Sequence, residues 1–454
     1  MKLRKRILAG GVITLSLLAS AVSAKVSEAD AAKLGAELTP IGAEKAGNAA
    51  GTIPEWTGGY TDVPEGYVSG KRLPNPFPDD QPKFTINKDN MDQYKDNMSP
   101  GQVAMMTKYP DYVIPVYQTR RSSAYPQEVY DGAKANATAV EMIEGGNGLT
   151  PFQVSVPFPI PQNGLEVIWN HITRYRGGSV RRTIGQATPL ANGNYSLVQF
   201  LDEITWRTSL KDYDPNTDPN VLFYFKQVIQ APTRLAGNVL LAHETIDQVK
   251  EPRRAWVYNA GQRRVRRAPQ VAYDGPGTAS DGLRTSDNFD MYNGSPDRYN
   301  WNLVGKKEVY IPYNSYKLDS RELKYDQIVK AGHINQELTR YELHRVWVVE
   351  ATLKDGQRHI YAKRIFYIDE DTWQATVIDH YDGRGELWRV AEAHNMSFYG
   401  ELVPWYTVET LYDLLSGRYL VNGLNNEQDT SYVFNLERSS KDYTPAALRR
   451  AGKR

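Results

Sequence analysis

The chain contains no cysteine. That excludes disulfides, thiolate metal sites and a lipid anchor carried on an N-terminal cysteine. Stability must come from core burial alone, for which 454 residues are ample. A dominant charge is lacking too. Lys and Arg number 54 against 53 Asp and Glu, and cutting after residue 24 leaves 50 against 53, a formal charge of −3. Such balance argues against nucleic acid as the main partner. Past residue 24 no apolar run approaches the ~20 residues of a spanning helix, so no stable membrane anchor is expected.

Catalytic motifs are missing as well. There is no Gly-x-Ser-x-Gly, no phosphate loop and no Gly-x-Gly-x-x-Gly after a strand. The seven histidines form no His-x-His or His-x3-His pair, and His243-Glu244 lacks the second histidine of a zinc-protease helix. Asp212 to Asp218 begins like a calcium loop, but Thr217 stands where glycine is needed and Phe223 where glutamate is needed. It reads as an Asx-rich turn. No metal and no cofactor are expected. Asp369, Glu370 and Asp371 fall in an expected hairpin turn and read as solvated. A carbohydrate-active enzyme stays open, because its two carboxylates need no local motif.

What is present begins at the N-terminus. Lys2, Arg4, Lys5 and Arg6 precede an uncharged apolar run from Ile7 to Val22, then Val22-Ser23-Ala24. This is a three-part export signal with small residues at its cleavage site. Residues 1–24 are therefore expected to be removed, leaving a soluble periplasmic protein. The 30 Tyr, 9 Trp, 35 Gly and 26 Pro point to a β-rich fold with many turns.

Residues 25–150 read as an extended, Pro-rich arm with short helices at Val26 to Lys45, Gly101 to Lys108 and Ala133 to Glu144. Trp56, Tyr60, Tyr67 and Phe77 would bury apolar area if this arm wraps the body. The body is expected over 151–454, with a peripheral C-terminal tail. Val154 to Pro161 suits an edge strand. Asn163-Gly164 opens a helix carrying Leu165, Ile168, Trp169 and Ile172 on one face, ended by Gly177-Gly178. Period-two strands follow at Tyr195 to Leu201, Val221 to Gln230, Arg254 to Tyr258, Arg263 to Arg267, Leu343 to Leu353, Ile360 to Ile368, Ala375 to Tyr381 and Glu386 to Ala391. Thr407 to Leu415 reads as a late helix. The fold class is mainly β (α+β): one large curved antiparallel sheet plugged by a few short helices.

Arginines carry the sharpest local signal. Arg253, Arg254, Arg263, Arg264, Arg266 and Arg267 fall within fifteen residues that contain no acid. Alternation puts Arg264 and Arg266 on one face, as a solvated hairpin or a rim for an anionic head group. Arg345 and Arg364 each stand alone on an otherwise apolar strand face, so each needs a buried acid or a ligand.

Arg254-Ala-Trp-Val-Tyr followed by Arg263-Arg-Val-Arg-Arg267, with the acidic loop Asp287-Asn-Phe-Asp-Met-Tyr-Asn-Gly294, resembles a hairpin and loop of the LolA and LolB lipoprotein carriers. Thr52-Ile-Pro-Glu-Trp-Thr-Gly-Gly59, Pro157-Phe-Pro-Ile-Pro-Gln-Asn-Gly164, Trp169-Asn-His-Ile-Thr-Arg-Tyr-Arg176 and Arg364-Ile-Phe-Tyr-Ile-Asp-Glu-Asp-Thr-Trp373 resemble a functionally unassigned family of Gram-negative exported proteins with such a body. The resemblance implies a half-open β-barrel around a hydrophobic cavity. It also implies companions among inner-membrane transporters of the resistance-nodulation-division type and outer-membrane β-barrels. The expected function is a non-enzymatic carrier of a hydrophobic, lipid-like ligand, bound by Trp169, Trp256, Arg264, Arg266, Arg345, Trp347, Arg364 and Phe366. A structural adaptor with a filled core is the alternative from another class.

Overall fold

The computed structural model describes residues 26–268 and 271–452. The expected export signal lies outside them. Among the described residues no helix is long and apolar enough to cross a membrane.

The first part of the chain has few, short elements: α1 (Glu28–Ala31), β1 (Phe84–Ile86), α2 (Pro100–Lys108), β2 (Ile114–Val116), α3 (Gln127–Ala139), β3 (Met142–Ile143) and β4 (Gly148–Leu149). α2 starts at Ser99, whose side chain exchanges hydrogen bonds with Gln102 in a capping box, with Pro100 at the first helical position. α4 (Gly164–Thr173) starts at Asn163, whose side chain accepts from the Glu166 N–H. It stops at Thr173, short of Gly177 and Gly178.

Next come β5 (Ser179–Ala187), β6 (Leu197–Trp206), β7 (Val221–Ala231), β8 (Val239–Thr245), β9 (Arg254–Asn259) and β10 (Arg264–Arg267). A second run holds β11 (Tyr299–Pro312), β12 (Tyr341–Leu353), β13 (Lys363–Asp369), β14 (Ala375–Tyr381), β15 (Leu387–Phe398), β16 (Val403–Asp413) and β17 (Tyr419–Leu424), with the single-turn α5 (Tyr325–Ile328) inside it. β18 (Val433–Phe434) and α6 (Pro445–Ala451) follow.

Each run is an antiparallel meander of consecutive hairpins, and together with four-residue-or-shorter accessory strands they form one 16-stranded sheet. The seam between the meanders is β17 against β5, with Val421 opposite Ala187 and Asn422 opposite Gln186. The hydrogen-bonded order runs from β1 to β10 without closing into a barrel.

The sheet curls. Phe289 packs on Phe225 of β7 with ring centroids 4.8 Å apart, and Tyr292 packs on Phe366 of β13 at 5.4 Å. Those strands are seven spacings apart in the sheet order, roughly 34 Å along a flat sheet at about 4.8 Å per strand. Three residues of chain span at most ~11 Å. The sheet must therefore wrap round the segment 271–298 and α4, whose Val167, Ile168, Trp169 and Ile172 share one core with residues from both meanders. The outer face of β15 and β16 is covered by α2, where Met105 and Met106 meet Val390, Val408 and Tyr412.

Several expectations need correction. Thr407 to Leu415 is not a helix: most of it is β16, buried along its whole length. Val154 to Pro161 is not a strand, and Val154 and Val156 have positive φ, which breaks the extended run. Val26 to Lys45 keeps only the four residues of α1 as helix. Asp369, Glu370 and Asp371 are not solvated but buried, because the 44–46 and 121 region of the chain lies over their turn. Arg121 pairs with Asp371 at 2.7 Å, and the Glu44 N–H donates to Glu370 at 3.3 Å.

Candidate functional site

Alternation on three neighbouring strands builds one wall. Phe225, Gln227 and Ile229 of β7, Leu240, Ala242 and Glu244 of β8, and Val257 of β9 point the same way. The register sets Phe225 opposite Ala242, and Leu240 between Gln227 and Val257. Residues 271–289 lie across this wall and leave a cavity of about 170 Å³, roofed by Val271, Pro276, Gly277, Thr278 and Phe289. Its two arginines are engaged. Arg253 donates to Glu244 at 2.6 Å and to the Val271 and Asn293 carbonyls, and Arg284 pairs with Glu409 at 3.1 Å. The interior that faces a guest is therefore mainly apolar.

The roof is folded on itself and latched from behind. Gly277 donates to the Arg284 carbonyl, Ser286 to Gly275 and Asp287 to Tyr273. Behind it, Asp287 is paired with Arg364 at 2.6 Å, and Asp290 with Arg174 at 2.7 Å and with Arg176. All five side chains are buried. Burial alone would push both carboxyls up, but Arg364 on one and Arg174 with Arg176 on the other hold them well below the usual range. His171 of α4 completes the latch: its Nδ1 accepts from the Ala375 N–H at 3.0 Å and its Nε2 donates to the Asp290 carbonyl at 3.2 Å. Burial, then the charge of Arg174, holds its imidazole down to about 3, so it is neutral.

None of the eight residues singled out from sequence lines this cavity. Trp169 is buried in α4 and donates Nε1 to the Gly146 carbonyl at 2.9 Å. Phe366 is buried against Tyr292 and Trp301. Trp347 is stacked 6.2 Å from Trp373 with Lys306 over its ring. Arg345 pairs with the exposed Glu44 at 2.8 Å and the buried Glu370 at 3.5 Å, and Arg364 with the buried Asp287. Trp256 sits on the opposite face of β9 from Val257, against His243 at 4.8 Å. Arg264 and Arg266 are exposed on β10 and are in no ion pair among the described residues. The structure thus brings Arg364 and Phe366 together on Tyr292 and leaves the rest apart. The cavity residues that sequence missed carried one signal, period two along Val221 to Gln230; which of its faces turns inward is set by the distant roof.

The fold and site define a class: an open antiparallel sheet curled round a latched loop, with a small apolar cavity beneath. The chain belongs to the family described as Protein of unknown function (DUF1329), whose profile matches residues 85–449. That is the functionally unassigned family its motifs resemble. It is 68% identical over 455 residues to Uncharacterized protein PA3922 of Pseudomonas aeruginosa, covering 100% of both chains. Among solved structures, it is similar to a DUF1329 family protein from Desulfovibrio piger, with 14% identity and a TM-score of 0.42 over 60% of this chain and 92% of that one. It is also similar to LolA superfamily protein NE2245 from Nitrosomonas europaea, with 13% identity and a TM-score of 0.37 over 63% of this chain and 98% of that one.

Proposed function

We propose that the protein is a periplasmic, non-enzymatic carrier that takes an apolar, lipid-like chain into the cavity beneath residues 271–289. The observation that carries this reading is the cavity itself: an apolar wall on three strands under a roof held to the sheet mainly by side-chain hydrogen bonds, from Gln186 to the Thr278 and Ala279 carbonyls, Arg253 to the Val271 carbonyl and Arg389 to the Gly282 and Leu283 carbonyls. Its volume of about 170 Å³ is close to that of an engineered cavity of about 150 Å³ that stays dry and admits benzene. It takes a segment of an acyl chain, each buried methylene contributing ~0.8 kcal/mol. Drug-sized ligands occupy roughly 300–1,000 Å³, so a whole lipid requires residues 271–286 to lift, giving up the Gln186, Arg253 and Arg389 bonds and the Arg284–Glu409 pair, while the Asp287 and Asp290 latches hold. The exposed Arg264 and Arg266, on the strand next to β9, are placed to meet an anionic head group. An inner-membrane transporter of the resistance-nodulation-division type and an outer-membrane β-barrel are the donor and acceptor in this scheme. The export signal supports the compartment. The adaptor alternative requires a filled interior, which the cavity argues against.

Native mass spectrometry of the mature protein from its own periplasm, followed by organic extraction, tests the reading. A lipid mass is expected on the wild type and should be lost in Ala242→Phe, which fills the cavity. A wild-type apo mass, with no uptake of a fluorescent fatty acid, overturns it.

A further inference from the structure

Three buried acceptors face one another on the far side of the sheet from the cavity. His344 of β12 is stacked on Tyr313 with ring centroids 4.0 Å apart, which fixes its plane. Its Nε2 meets Glu342 Oε2 at 3.2 Å. That carboxylate already accepts from Arg340 at 2.7 Å, Asn314 at 2.8 Å and the Arg120 N–H at 2.9 Å, so it is ionised and Nε2 carries the proton. Nδ1 is left pointing at Asp369 Oδ1, 3.8 Å away, and Asp371 Oδ2, 3.9 Å away. Asp369 is fully buried; Thr372 donates to one of its oxygens, and Oδ1 has no hydrogen-bond partner. Asp371 is paired with Arg121, whose Nε donates to its Oδ2 at 2.9 Å and whose Nη2 meets its Oδ1 at 2.7 Å, but among the described residues no cationic side chain is paired with Asp369 except His344 itself. An unpartnered buried carboxylate oxygen opposite an imidazole lone pair is costly unless a positive charge lies between them.

We propose that His344 Nδ1, Asp369 Oδ1 and Asp371 Oδ2 hold a divalent metal ion. The three ligand atoms lie within 4.8 Å of one another. An ion with bonds of 2.0–2.2 Å in tetrahedral geometry holds its ligands roughly 3.3–3.6 Å apart, so the two carboxylate oxygens each close on His344 Nδ1 by a few tenths of an ångström and on each other by up to roughly 1.5 Å. One nitrogen and two carboxylate oxygens suit Zn²⁺ or Mn²⁺ better than Ca²⁺, which takes six to eight oxygens. Glu342 is the positioning residue: a histidine that binds a metal through one ring nitrogen gives the other N–H to a carboxylate, fixing its tautomer. All three ligands are buried, which marks an ion that enters as the chain folds, and the fourth tetrahedral position is left to a trapped water. The ion ties the β13–β14 turn to β12, and through Arg121 to the segment that covers them. A proton on Nδ1 is the competitor, so acid releases the ion.

The full-length mature protein, stripped with chelator in urea, is refolded with Zn²⁺ or Mn²⁺ alone, gel-filtered and assayed by inductively coupled plasma mass spectrometry. About one ion per chain is expected at pH 8 and far less at pH 5, with a raised melting temperature. His344→Gln and Asp369→Asn should abolish retention, and Glu342→Gln should weaken it roughly 10- to 100-fold. Should a variant fail to fold by circular dichroism, the wild-type stoichiometry and its acid release still decide the matter. No retained ion on the folded wild type, or equal retention in folded Asp369→Asn, overturns the proposal; the pair then shares a proton instead.

Discussion

Asp379 shows at the scale of one residue how this chain handles buried charge. It lies on β14, and Ser99 Oγ and the Gly101 N–H at the start of α2 reach its Oδ1 at 3.0 and 3.1 Å. Its other oxygen has no partner. Burial pushes its carboxyl up to about 7, with Glu392 adding to the rise and the two donors opposing it. A group whose folded pKa lies above its unfolded one contributes stability that is complete below the unfolded value and lost as pH rises through the folded one. The loss runs from about pH 4 to pH 7 and reaches about 4 kcal/mol at most. Asp379→Asn should therefore be more stable than wild type at pH 8 and about equal to it at pH 4, read from melting temperatures across that range. Equal pH profiles would contradict the assignment. Arg345 and Arg364 were expected to meet either a buried acid or a ligand, and the structure places acids beside both. A lone arginine on an apolar face needs a partner of some kind. Which acids, Glu44 and Asp287, was not legible, because the partners lie about 300 and 77 positions away along the chain.

Among elements, strands beside a clear turn signal were readable even when buried, as β14 is beside Asp382-Gly383-Arg384-Gly385. Ala375 to Tyr381 matches β14 at both ends, and Val221 to Gln230 matches β7 to within a residue. β16, buried along its whole length, does not read as a strand from its sequence. Its polar positions are met inside: Glu409 by Arg284 and Asn422, Thr407 by Asp319. Polar residues in both its faces erase the two-residue period on which strand assignment rests. β5 hides for the same reason, with Arg182 buried beside Asp202. The plug loop is an element of this kind too, held by ionic latches that no local pattern reveals. Arg364→Met strands the Asp287 charge and should cost about 3–5 kcal/mol. Hydrogen exchange should quicken first over residues 285–295, before the rest of the sheet. Uniform loss of protection would instead mean that Arg364 supports the whole core.

At the scale of the molecule, the decisive contact is the seam. Gly423 of β17 has φ +104, and a Cβ there would sit 2.2 Å from the Thr407 carbonyl of β16. Gly423→Ala must displace backbone as well as adopt a strained conformation, so it should destabilise by more than about 1 kcal/mol. Because both meanders share one core, urea unfolding followed by tryptophan fluorescence and by far-ultraviolet circular dichroism should give coincident curves in wild type. Separated curves in wild type would show that each meander stands alone. The overall class, a large antiparallel sheet with few helices, was readable because hairpin signals are local; its seam was not, because the two edges that meet there are far apart in the chain.

The seam also sets an order of events. β5 begins at Ser179, and the strand that completes its edge does not end until Leu424. A chain threaded through a membrane from its N-terminus would deliver the whole first meander long before the strand that shields it. During that interval the edge of β5 offers unpaired backbone groups to any passing strand. Without cysteine, no covalent staple can park the early half in a safe shape. Whatever escorts this polypeptide during delivery must therefore guard one particular edge, and must let go of it last.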